Sequence, residues 1–408
     1  MKKNSFLFII LAMSLFVVSC SKKSDNNEED LNSLPFADEN VDAGKTSLSN
    51  AGDSLLNNLN ALQNSTDLSC LETYSYFAGI VDPFPNFAVF STMKAAGALS
   101  QSAKAYSGVF KSMAISADSI TSLQSEFNKY KGTHAWNDAF KRWDWYDKTA
   151  NQVVILYPST KTGKTNDVKI VITFSTTSSA NSPAETYGYS DLPLSLKAVI
   201  TKGGAAVGEY GFSVTYNQGL PVSSTTYITV GAYKFVVNPT YSASSASVKY
   251  SFLRGNTTLL CYYAAATGSF DVNTLGQAFA SDSTVNNFVN GANAYFQVLN
   301  IKLAGKVDFK SLYSVQTDLD KLTTISDSAY LSRSAEALNK YAALVLVYAD
   351  SNKKIAQANA YYDKTSYDVK FKVVFKDGTS QDINTYFGNG FSQLTDETKA
   401  IFDALNVL

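Results

Sequence analysis

The stretch "LSLKAVITKGGAAVGEYGFSVTYNQG", residues 194–219, decides the fold. Leu194, Leu196, Ala198 and Ile200 recur at every second position, and so do Tyr210, Phe212, Val214 and Tyr216. Successive side chains of a strand point to opposite faces, so a period of two marks a strand with one buried face. "KGG" at 202–204 joins the two runs and "NQG" at 217–219 closes the second. Glycine supplies the positive φ that a tight hairpin turn demands. The same period precedes this stretch at Val168, Ile170, Ile172 and Phe174. It follows at Tyr233, Phe235 and Val237, then at Val248, Tyr250 and Phe252, with "RGN" at 254–256 as a further turn. The opposite faces carry Lys, Ser, Thr and Glu. One dry face and one wet face point to an antiparallel meander rather than to βαβ units.

Outside this region the period changes. Residues 20–44 follow the apolar N-terminus with Asn, Asp, Glu and Ser, and read as a flexible tether with little to bury. A helical region is expected over 45–131. Leu48, Ala51, Leu55, Leu59 and Leu62 recur at helical spacing, with Ser47 or Ser49 as cap. "VDPFPN" at 81–86 breaks the chain, and Met93, Ala96, Ala103, Tyr106, Phe110 and Met113 begin a second helical pattern. The meander occupies 132–270. Residues 271–408 read as mixed helices with a strand at Leu299, Ile301 and Leu303. Leu338, Tyr341, Val345 and Tyr348 place a stripe on a helix, and Val369, Phe371, Val373 and Phe375 lead into "KDG" as a β-hairpin near 367–387. A short helix near 394–405 closes the chain. The expected architecture is α+β: a long curved antiparallel β-meander with helices from the N- and C-terminal regions covering one face.

Composition fits a folded body, with 45% hydrophobic and 17% charged residues and 25 each of Tyr and Phe among 408. Lys and Arg number 34 against 35 Asp and Glu, so there is no basic surplus to displace counterions from a nucleic acid, and that partner is excluded.

Lys2 and Lys3 precede an apolar segment from Phe6 to Val18, broken only by Ser14. Thirteen residues are too few for a bilayer core of about 30 Å and suit a secretory signal. Val17, Val18, Ser19 and Cys20 then resemble the lipobox of bacterial lipoproteins, and Ser21–Asp30 resembles the acidic export tether of their Bacteroidetes-type members. The resemblance implies cleavage of 1–19, acylation of Cys20 and a membrane partner reached through that anchor. It implies a place in the cell envelope, lipid-anchored to the outer membrane and either periplasmic or surface-exposed. It covers about the first 30 residues. The plain alternative is an ordinary secretory peptide.

Candidate sites fall in several places. "STMK" places Ser91 and Lys94 as in the Ser-x-x-Lys of serine β-lactamases and penicillin-binding proteins, which it resembles; that implies an acyl hydrolase, against a helix cap with an exposed lysine. Trp136, Trp143 and Trp145 lie within "HAWNDAFKRWDWYD", 134–147. On a wet sheet face these rings would form a ligand platform; under helices they would form a packed cluster. Cys70 and Cys261 are either one disulfide or two buried thiols. "GKT" at 163–165 lacks the earlier glycine of a phosphate loop, where Pro158 stands. "DENVDAG" at 38–44 misplaces the glycine of a calcium loop, and His134 is the lone histidine, so no metal and no cofactor is expected. The Asp-Ser-x tripeptides at 53–55, 118–120, 282–284 and 327–329 are similar to an O-glycosylation signal of Bacteroidetes and equally suit helix starts or turns. These readings converge on a membrane-anchored, non-catalytic binding or accessory protein for a glycan, lipid or protein, with the hydrolase as alternative.

Overall fold

The computed structural model describes residues 31–84, 122–148, 150–180, 190–217, 220–269 and 289–382. Sixteen strands form one open, mostly antiparallel sheet in the order β16 to β3, then β1 and β2. Its first strands are β1 (Gly132–Asn137), β2 (Arg142–Tyr146) and β3 (Val153–Tyr157). They are followed by β4 (Val168–Ser178), β5 (Asp191–Lys202), β6 (Ala205–Asn217), β7 (Leu220–Val230) and β8 (Tyr233–Tyr241). Then come β9 (Ser245–Arg254), β10 (Thr257–Gly268), β11 (Val289–Val298) and β12 (Ile301–Val307). The last are β13 (Ala342–Tyr348), β14 (Lys354–Asp363), β15 (Asp368–Phe375) and β16 (Ser380–Asp382). The described helices are α1 (Val41–Gln63), α2 (Thr66–Ile80), α3 (Leu123–Asn128), α4 (Phe309–Asp320) and α5 (Asp327–Tyr341).

The expected meander is present, with one departure from pure antiparallel pairing. β1 pairs with β2 antiparallel and with β3 parallel. Chain direction reverses at each turn, and β3 returns on the far side of β1 from β2, so β1 and β3 point the same way. Gly203 and Gly204, at φ 56° and 86°, form the two-residue turn between β5 and β6. The alternation also breaks at one predicted position. Ser175 pairs with Ser195 but Thr176 with Pro193, so Leu194 is an inserted residue. The bulge turns Leu194 out to 39% exposure and buries Leu192 instead.

Contacts divide the chain into two compact units. One holds the described residues from Leu59 to Tyr241 together with Tyr250–Asn256. In it α2 starts at the cap Ser65, whose hydroxyl accepts from Leu68 N at 3.2 Å, and it stops at Ile80 where Asp82-Pro83 follows. Cys70, Leu71 and Phe77 are its buried apolar residues. Tyr157 of β3, fully buried, donates its hydroxyl to Cys70 O at 3.1 Å. Phe127 of α3 meets Phe174 of β4 with ring centres 5.4 Å apart.

The other unit holds the described residues up to Asn58, Ser242–Lys249 and those from Thr257 on. Here α4 and α5 lie over Ala292, Val307, Ala360 and Val369 through Leu312, Ala335 and Leu338. Asn339 of α5 exchanges two hydrogen bonds with the backbone of Ala360, at 2.8 and 2.7 Å. On the opposite face Ala304, Val345 and Val347 are buried with Leu31 and Leu34 packed against them. Ala342–Tyr348 is apolar on both sides, and the side away from α4 and α5 is packed by the segment holding Leu31 and Leu34 rather than by a helix.

Three further expectations change. The stripe through Leu338, Tyr341, Val345 and Tyr348 is not one helix, since α5 ends at Tyr341 and the apolar run after it, with Val345 and Val347, forms β13. The described residues beyond 270 contribute six strands to the sheet, not only the expected strand around Ile301 and one hairpin among helices. The proposed tether up to residue 44 is built into the body at its far end. Phe36 bridges Lys354 in parallel, Lys354 N donates to Pro35 O at 2.7 Å, and α1 starts at Val41. The predicted apolar stripe of α1 stands, with Ala51, Leu55, Leu59 and Leu62 all buried. Each buried leucine contributes about 1.5–3 kcal/mol. Among the described residues no helix is long and apolar enough to cross a membrane.

Candidate functional site

The tryptophans come together as the sequence suggests, on the side that α2 packs against. Trp136 pairs with Trp143 and His134 with Trp145 in the β1–β2 register, so all four rings share one face. Trp136 is 4% exposed, held between Phe77 of α2 at 4.9 Å and Trp143 at 5.4 Å. Trp143 Nε1 donates to Val81 O at 2.8 Å, which fastens the end of α2 to the hairpin. Trp145 stacks on His134, 5.4 Å apart and 14° from parallel, and Lys148 Nζ lies 3.9 Å from its ring centre. Of the expected platform, Trp136 is core and Trp145, 42% exposed, is its outermost ring. Burial holds the His134 imidazole below its ordinary pKa, opposed by its 2.9 Å hydrogen bond to Tyr130 O and supported by Lys148.

Cys70 and Cys261 are both free and buried. Burial pushes the Cys70 thiol up, the opposite of what a nucleophile needs. Cys20 with Val17, Val18 and Ser19, Ser91 with Lys94, and the helices expected over 93–113 and 394–405 lie outside the described residues. Among the described residues no cluster of His, Cys, Asp and Glu has the makings of a metal site.

The wet face of β4–β8 carries a different constellation, all within one unit. Its side chains line up across the strands. One row runs Ser175, Ser195, Ser213 and Thr225 by register, extended by Asn238 Nδ2, which donates to Thr225 Oγ1 at 2.8 Å. The next runs Thr173, Lys197, Gly211, Tyr227 and Val236, and the third Val171, Val199, Glu209, Thr229 and Lys234. Thr173, Lys197 and Ser213 are exposed.

Gly211 decides the geometry here. It lies directly opposite Tyr227, and a side chain there would run into the Tyr227 ring. With no Cβ in the way, the ring covers the strand backbone. Its hydroxyl donates to Glu209 Oε1, and Lys197 Nζ meets Glu209 Oε2 at 2.9 Å. These contacts hold the Glu209 carboxyl below its usual range, the Tyr227 hydrogen bond most of all. The same bond, then burial, raises Tyr227 to about 12. Lys234 Nζ sits 4.3 Å from the ring centre. Sequence reading had placed Lys, Ser, Thr and Glu on this face but not Tyr227, whose partner glycine is sixteen residues away and is fixed only by strand register.

Comparison with known proteins adds no relative: no family model, curated protein or solved structure matches the chain.

Proposed function

We propose that this chain is a lipid-anchored extracytoplasmic binding or accessory protein, held at a bilayer by acyl chains on Cys20 and offering the wet face of β4–β8 to a glycan, lipid or protein partner. The observation that carries the binding half is the fixed tyrosine plate and its charged neighbours on an exposed, hydroxyl-lined sheet face. Rings and hydroxyls locked before a partner arrives lower the ordering cost of binding. The anchoring half rests on the lysines, apolar segment and Cys20 of the N-terminus.

The test has two arms. Cells making the chain are fed labelled palmitate: wild type takes up label and stays with the membranes, while Cys20→Ala does neither. A variant still in the membrane fraction, with wild type unlabelled, defeats the anchor. The purified full chain is then screened against glycans, lipids and envelope proteins, with a covalent serine probe alongside. Ligand capture supports the binding half; labelling at Ser91 with turnover of an acyl substrate replaces it.

A further inference from the structure

We infer that the β4–β8 face is a binding site for an anionic polysaccharide chain, laid across the strands along the hydroxyl row. The inference rests on the binding reading above and names its ligand class. Three features select that chemistry.

The row Ser175, Ser195, Ser213 and Thr225, with Asn238, gives one small polar group per strand on five successive strands. With strands about 4.8 Å apart, it spans about 19 Å, the reach of a short oligosaccharide rather than of a single sugar. Hydroxyl and amide groups both donate and accept, as sugar hydroxyls do. Asn238 already donates to Thr225, and Ser175 and Ser195 Oγ lie 2.6 Å apart. The Ser213 hydroxyl, exposed midway between these pairs, has no hydrogen-bond partner among the described residues.

The adjacent row puts the Tyr227 ring on the backbone of Gly211. The C–H face of a sugar packs against such a ring once a ligand carboxylate draws off the Lys234 ammonium that rests on it. Glu209 and Lys197 pin the ring's hydroxyl end, so the plate is set before a ligand arrives.

Charge supplies the sign. Lys169, Lys197 and Lys234 share this face with Glu209, so it carries a cationic excess in a chain with 34 basic and 35 acidic residues. Glu209 engages Lys197, while the Lys234 ammonium rests on the ring and Lys169 is exposed at the end of β4. Carboxylates of a polymer laid over the hydroxyl row and the plate meet Lys197 and Lys234, while Lys169, three rows away along β4, adds only to the overall field of the face.

The test uses the full chain in detergent and a polyuronate, sodium polygalacturonate, with the same polymer after reduction of its carboxylates as neutral probe, by titration calorimetry. Polygalacturonate is expected to bind, and to bind about tenfold more weakly at 0.5 M than at 0.05 M salt, because exposed charges are screened. Tyr227→Ala is expected to weaken it about tenfold through loss of the plate. Lys234→Gln is expected to cost about threefold, the range of exposed ion pairs, and Lys169→Gln, three rows from the ligand, less than that. Ser213→Val, which suits a strand and leaves Tyr227 alone, weakens binding if the row is used. Trp145→Ala, off this face, leaves it unchanged. No binding of polygalacturonate, equal binding of the reduced polymer, or wild-type affinity in the Tyr227 and lysine variants overturns the inference. If polygalacturonate fails while another ligand binds in the wider screen, the binding reading stands and this site assignment falls.

Discussion

Asp191 offers the sharpest test of how the sheet holds its short helix. The residue opens β5 and is buried, and its carboxylate faces the start of α3, 68 residues earlier in the chain. Oδ1 accepts from Leu123 N at 2.7 Å, and Oδ2 accepts from Gln124 N at 2.9 Å and from Ser122 Oγ at 3.1 Å. A six-residue helix has no stability of its own, and its first N–H groups have no partner within the helix. Asp191 thus caps α3 from another element. Asp191→Ala removes all three acceptor contacts and leaves two N–H groups unsatisfied. A hydrogen bond to a charged group contributes about 1.5–3 kcal/mol, and overlapping contacts do not add, so the expected loss is about 3 kcal/mol. Asp191→Asn keeps one acceptor oxygen but turns an amide N–H toward a backbone donor, for an expected loss of about 1–2 kcal/mol. Guanidinium unfolding of the full chain followed by tryptophan emission is a local reporter, since all three tryptophans lie in 136–145 just after α3. Hydrogen exchange at Leu123 and Gln124 reads the cap itself. If Asp191→Ala unfolds at the wild-type midpoint and both amides stay as protected as before, the capping argument is wrong.

Other consequences are as direct. His134 is the one histidine, and burial depresses its pKa from the ordinary 6.5. The unfolded chain therefore binds a proton more readily, so this residue's contribution is complete above pH 6.5 and is lost as pH falls through the folded value. His134→Gln should flatten the dependence of the unfolding midpoint on pH below 6.5; an unchanged slope would count against it. A body made without residues 1–20 carries Cys70 and Cys261 as its buried thiols. Ellman's reagent should find neither until denaturant is added and then both, whereas none after denaturation would indicate a disulfide. Lys354 is 4% exposed, and its ammonium donates to Asn32 O at 2.8 Å and Gln357 Oε1 at 3.2 Å. Lys354→Ala should open the segment 31–37 to limited proteolysis, with N-terminal sequencing of the fragments as the readout. Gly211→Val should drive the Tyr227 ring off its strand and raise the Glu209 pKa toward its ordinary 4.5, seen by carboxyl NMR titration.

Much of this body was legible in the residues taken singly or in short runs. Alternation at 168–174 and 196–200, the paired glycines at 203–204 and the leucine stripe of α1 each follow from local rules of period and backbone freedom. The proposed lipobox at Val17, Val18, Ser19 and Cys20 likewise rests on local sequence alone. Other features depended on which elements met. Val345 and Tyr348 match a helix in spacing but lie in β13, because strands on both sides accept them; Leu194 is turned out by a bulge that the alternation passes over, although Pro193 beside it is a residue that sheets place at edges and bulges. Trp136 is core because α2 ends over β1, while Tyr227 is a surface plate because β6 and β7 align Gly211 beneath it. Period fixes which side of a strand a residue faces. Register, set by turn lengths and bulges summed along the chain, fixes what lies across from it, and a binding face is a property of register.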